Sequence, residues 1–277
     1  MPLIRVGHSP DPDDAFMFYA LATGKLNTSG LEVEHILKDI ETLNRWAMEG
    51  RLEVTALSIH AYAYVSDTYA LLPHGASMGS RYGPLVVAKE PIQLEELKTK
   101  RIAIPGTLTT AFLALQLLIG KIEYGQVPFD RILEAVSAGE YEAGLLIHEG
   151  QLTYRSYDLT KIVDLGEGWY ERTGLPLPLG GNAIRKDLGP QLMKRISKLL
   201  KESIQYALDH REEALPYAMQ FARGLDQAST DRFVSMYVNE YTLDWGEEGR
   251  RAVQLLLRKG VEHGILPKDA SPEFVDA

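Results

Sequence analysis

The sequence predicts an α/β protein whose last third is helical. Three observations carry that reading. Short apolar, β-branched runs alternate with helix-period segments through the first two-thirds of the chain, the pattern turns largely helical from about Lys186, and 277 residues suggest roughly two domains. Alternation of this kind implies mainly parallel sheets covered by helices.

In order along the chain, LIRVG (3–7), LEVEHIL (31–37), VTALS (54–58), PLVVA (84–88), RIAIP (101–105), AGLLIH (143–148) and KIVDL (161–165) are the expected strands. Between them, Asp39 is the candidate N-cap of a helix with Ile40, Leu43, Trp46 and Ala47 on one face, and Gly50 stops it. TTAFLALQLLIGK and FDRILEAVSAGE read as further helices, and Leu and Ile recur at helical spacing after Lys186. Tyr62, Tyr64 and Tyr69 fall in the expected helix after Ser58. The loop HGASMGSRYGP (74–84), with three glycines before Pro84, could cross between lobes. It lacks the Gly-Lys-Ser/Thr ending of a phosphate-binding loop, and no dinucleotide fingerprint occurs anywhere.

Composition narrows the function. A net charge of −9 argues against a nucleic-acid partner, which needs a concentrated basic surface. A small anion is still permitted, because a few amides at a helix start can hold one. The absence of cysteine rules out disulfides, thiolate metal centres and a cysteine nucleophile. The N-terminus has no basic region leading into an apolar stretch, and Phe16–Ala22 is far shorter than the roughly 20 residues of a membrane span. The reading is a soluble, cytoplasmic protein with no membrane partner.

Ligands of open α/β sheets bind beyond the carboxyl ends of the strands. Four expected strands end there in polar residues: His8 and Ser9, Ser58, the group Thr107, Thr109 and Thr110, and His148. In PGTLTTAF, Gly106 permits a tight turn and the threonines stand where a helix begins, so unpaired amides, the positive helix end and hydroxyls converge. Simple capping by threonine explains the same pattern. His148 ends an apolar run, as a packing histidine, a polar cap or a general base would. His60 and His74 also lie near strand ends. Asp11, Asp13 and Asp14 invite a metal reading, but a calcium loop from Asp11 would need Gly and Glu where Phe16 and Ala22 stand. A helix start, with Asp13 as N-cap and Pro10 and Pro12 stiffening the entry, explains the acids, so no metal is expected.

Taken together, SPDPDDAFMFYAL, ETLNRWAMEGRLEVTALS, GPLVVA, PGTLTTA, GLLIHEGQLTY and RTGLPLPLG occur in an order that resembles the futalosine-pathway branch of the menaquinone-biosynthesis family, the 1,4-dihydroxy-6-naphthoate synthases. The resemblance spans residues 4 to 265. It implies a two-lobed type II periplasmic-binding-protein-like fold, with YGPLVVA and GLPLPLGGNAIR as crossovers. Residues 1–86 with 186–277 would form one lobe and 87–185 the other. It implies a lyase that converts cyclic dehypoxanthinyl futalosine to the dihydroxynaphthoate without metal or redox cofactor. His148 would be the base, and Thr55, Ala56, Leu57, Ser58, Thr109 and Thr110, with Ser9 as a further cleft residue, would bind the small anionic substrate. One segment departs: where the family often reads SPCPNDTF, Asp11, Asp13 and Ala15 stand in place of Cys, Asn and Thr. The other readings of the same fold are a non-catalytic binder of a small organic acid, which would need export or an anchor, and the chorismate-dehydrating sister enzyme, whose N-terminal motif differs.

Overall fold

The computed structural model describes residues 2–267 and 270–275. The outermost residues of the expected first lobe (1, 276 and 277) lie outside them, as do 268 and 269. The first sheet contains β1 (Leu3–His8), β2 (Glu32–Leu37), β3 (Val54–Ser58), β4 (Tyr69–Leu71) and β5 (Ser77–Gly79). The second contains β6 (Leu85–Ala88), β7 (Arg101–Ile104), β8 (Glu123–Gln126), β9 (Ala143–Leu146) and β10 (Thr160–Asp164). The chain then returns to the first sheet as β11 (Leu177–Arg185). The orders are β2-β1-β3-β11-β4, with β5 also on β11, and β10-β6-β9-β7-β8.

The expected strands all form, but the sheets are mixed rather than mainly parallel. β1–β2, β1–β3, β7–β8 and β7–β9 are parallel, as helix-linked strands must be. Every antiparallel pair involves β6 or β11, the strands on which the chain changes lobe and arrives from the opposite direction. AGLLIH stops as a strand at Leu146, and Tyr69 lies on β4 rather than in the Ile59–Val65 helix. Glycines let the crossing segments touch. A Cβ on Gly166 would lie 1.9 Å from the Tyr82 carbonyl oxygen, and one on Gly79 would lie 2.0 Å from the same atom.

The Ile40–Met48 helix is capped by Asp39, whose side chain accepts the Thr42 N–H at 3.0 Å, and Leu43 and Ala47 are buried beneath it. The Pro12–Ala22 helix is apolar nearly all round, since it lies under the Pro190–Asp209, Arg211–Ala218 and Gln227–Tyr237 helices. These three late helices therefore pack on the first lobe, whereas the Gly246–Glu262 helix touches both β11 and the Thr110–Ile119 helix of the second. No helix among the described residues is long and apolar enough to cross a membrane.

Candidate active site

The tips of β1, β3, β9 and the loop after β7 meet between the lobes. Ser9, Ala56, Leu57, Ser58, Thr109, Thr110 and His148 all line one cavity of about 110 Å³. Thr55 does not: it is buried one residue earlier, and its hydroxyl donates to the Ala56 carbonyl at 2.9 Å. The cavity is lined by the last three residues of β3, and Thr55 lies deeper in the strand.

His148 stands two residues beyond the end of β9 with a left-handed backbone, φ 52°. Its Nδ1 lies 2.9 Å from Oδ2 of Asp11, and the edge of Phe129 packs on its ring at 4.9 Å between centroids. Nε2 is buried at the cavity wall with no hydrogen-bond partner. Asp11 occupies the N-cap position of the Pro12–Ala22 helix, displacing the expected cap at Asp13 to the first turn. The reason is Pro12, which fits the first helical position because it has no N–H to satisfy. The Asp11 side chain makes no capping bond; it goes to His148 instead.

Electrostatics separates the three acids. Burial alone would raise Asp11, but the His148 charge and hydrogen bond hold its carboxyl below the ordinary range. Asp13 is pushed well above that range by burial and by the charges of Asp11 and Asp14. Asp14 is pushed up to about 8 by burial and then by Asp11, although it accepts the Ser9 N–H at 2.7 Å. For His148, burial favours the neutral ring, yet Asp11 foremost, with Glu149 and Asp14, overrides it and raises the pKa above 6.5. Burial and charge thus favour an imidazolium–carboxylate pair at His148 and Asp11 and the protonated forms of Asp13 and Asp14. The last two can donate hydrogen bonds to a ligand anion, so an acidic loop and an anionic ligand are compatible.

The threonines divide their tasks. Thr109 caps the Thr110–Ile119 helix by accepting the Phe112 N–H at 3.2 Å and donates to the Gly106 carbonyl at 2.9 Å. The Thr110 hydroxyl accepts the His60 N–H at 3.1 Å, which leaves its own proton to donate into the cavity. Ser58 is fixed by Asn44, whose side chain accepts the Ser58 N–H at 2.9 Å and donates to its hydroxyl at 3.0 Å. His8, His60 and His74 are each held by protein partners. His60 bonds the Thr109 carbonyl at 3.1 Å, His74 bonds Ser197 at 3.0 Å, and His8 sits between His35 and the Ser9 carbonyl. Among the described residues no group of three His, Asp or Glu side chains is placed to hold a metal ion.

Three residues from elsewhere complete the site. Arg223 bridges the loops next to Asp11 and His148, donating to Glu149 and to the Pro10 carbonyl at 2.8 Å each while lying over Phe129. Tyr237 lines the cavity and donates to Gln151 at 2.7 Å. Sequence reading missed them because Arg223 and Tyr237 come from the helical third, whose pattern records burial but not which tip it overhangs. Gln151 carried the one available signal, one helical turn beyond His148.

With this geometry in place, relatives become informative. Residues 4–262 match the family described as Menaquinone biosynthesis. The chain belongs to the menaquinone-biosynthesis family. Within it, a Thermus thermophilus protein named 1,4-dihydroxy-6-naphtoate synthase is 46% identical over 99% of this chain and 100% of that protein. A crystal structure from Archaeoglobus fulgidus superimposes with a TM-score of 0.92 at 49% identity, covering 95% of this chain and 98% of that one. The fold reaches beyond the family. A Candida albicans protein described as having the generic periplasmic binding protein structural fold superimposes with a TM-score of 0.69 at 12% identity, over 100% and 99% of the two chains.

Proposed function

We propose that this family member is a cytoplasmic carbon–carbon lyase converting cyclic dehypoxanthinyl futalosine to 1,4-dihydroxy-6-naphthoate, with His148 as general base. The observation that most supports this is the state of His148: Nδ1 is engaged by Asp11, while Nε2 is buried at the cavity wall without a protein partner. A base must present a free nitrogen to the substrate proton, and this ring has one. Opening the spiro ring and releasing the sugar-derived fragment starts with loss of a proton activated by a neighbouring carbonyl. Aromatisation then drives the step. Thr110 and the first amides of its helix would hold the substrate's anionic group, with Asp13 and Asp14, whose carboxyls burial pushes toward the protonated form, beside them.

The raised pKa refines the expectation of a neutral base. Turnover needs His148 deprotonated, so kcat/KM should rise with pH through a value above 6.5. The test incubates purified protein with cyclic dehypoxanthinyl futalosine, comparing wild type with His148→Ala by absorbance and mass. Naphthoate from wild type alone, with substrate still bound by the variant, is the expected result. Binding without product from either protein sinks the lyase assignment and leaves a solute-binding role.

A further inference from the structure

We propose that Asp11 is the positioning residue of His148, the two forming a dyad that is complete only when the lobes are together. The inference rests on His148 being the base. Asp11 follows β1 in the first lobe and His148 follows β9 in the second, so their 2.9 Å contact spans the cleft. Three features aim the ring at it. The left-handed backbone at His148 turns the chain out of the strand, Phe129 packs on the ring, and the Asp11 carboxylate forgoes helix capping to take Nδ1–H. With that proton fixed on Nδ1, the neutral ring carries its lone pair on Nε2, at the cavity wall. When the ring takes a substrate proton, the facing carboxylate stabilises the charge formed. Part of the base's strength thus resides in the opposite lobe.

The other groups around the ring do not replace Asp11. Glu149 is engaged by Arg223, and Asp13 and Asp14 are carboxyls that burial and Asp11 push toward the protonated form. Arg223 itself faces Glu149 and Pro10.

The experiment uses Asp11→Asn, which keeps the shape and removes the charge, with Asp11→Cys as a second variant that restores the residue common in the family. Near-ultraviolet circular dichroism verifies folding. Each variant should lower kcat at least about tenfold, change KM far less, and move the acid limb of kcat/KM to lower pH. An NMR titration of the His148 ring, assigned by the loss of its signal in His148→Asn, should show a lowered pKa without reference to turnover. Wild-type kcat, acid limb and ring titration in both Asp11 variants, with turnover abolished in His148→Asn, would overturn the dyad and leave the base intact. Turnover persisting in His148→Asn would instead remove the base reading, and the dyad's catalytic role with it.

Discussion

Asp14 shows how far a buried side chain departs from its sequence average. Its folded pKa of about 8 lies above the unfolded carboxyl value near 4. Its contribution to stability is therefore full below pH 4 and is lost as pH rises toward 8, because over that window the native state keeps a proton that the unfolded chain has released. Asp14→Asn cannot titrate and its amide oxygen can still accept the Ser9 N–H. The Tm of the variant relative to wild type should rise between pH 5 and pH 8, as followed by thermal denaturation at fixed ionic strength. At this scale the sequence disclosed residue types better than alliances. His148 stood out because an apolar run ended on it, and Ser9, Ser58 and Thr110 because they sat at strand tips. Asp11 was visible only as one of three clustered acids and as a departure from the family, since a helix start accounts for an aspartate equally well and only tertiary contact sends its carboxylate to His148. Thr55 differs in the other direction: a four-residue stretch was taken whole, although only its last three residues reach the cavity.

The turn into the Thr110–Ile119 helix separates stabilising from binding threonines. Thr109 spends both its hydrogen-bonding functions within its own turn. Thr109→Val should destabilise the fold by about 1 kcal/mol, the usual worth of an N-cap, and leave KM little changed. Thr110→Val should raise KM more than it lowers Tm. Denaturant unfolding beside steady-state kinetics distinguishes the two, and equal effects on KM would contradict the division. Elements with a clear period were legible, such as the Ile40–Met48 helix and the β-branched core strands. β4 and β5 were not, since three residues are too few to display a period, and β8 was not, since Glu123–Gln126 is polar and mostly exposed and offers no apolar run. The Pro12–Ala22 helix hid its orientation for another reason: buried all round, it has no polar face to mark the outside.

Across the whole molecule, Arg223 ties the first lobe to Glu149 of the second. Glu149 is buried, and one of its oxygens already lacks a partner. Arg223→Ala would strand the other in the closed arrangement, at a cost of about 1–3 kcal/mol that the open arrangement escapes by hydration. Small-angle scattering of the ligand-free variant should give a larger radius of gyration than wild type, and KM should rise more than kcat falls. An unchanged radius would mean that Arg223 does not bias the lobes. Alternation foretold an α/β fold, and the resemblance to the family foretold two lobes joined by crossovers. The antiparallel pairing at β6 and β11 was not legible, because pairing direction depends on the route of the chain rather than on any local residue.

That route also orders events during synthesis. The second sheet is continuous from β6 to β10, so all its strands leave the ribosome together and can pair at once. The first sheet must wait. Its central strand β11 arrives about a hundred residues after β4, and Leu71 of β4 finds its last neighbours only at Glu273 and Val275. Until β11 emerges, β3 stands with an open edge that another chain could pair with. The sheet begun first is thus completed after the second, and β3 keeps one unpaired edge until β11 closes over it.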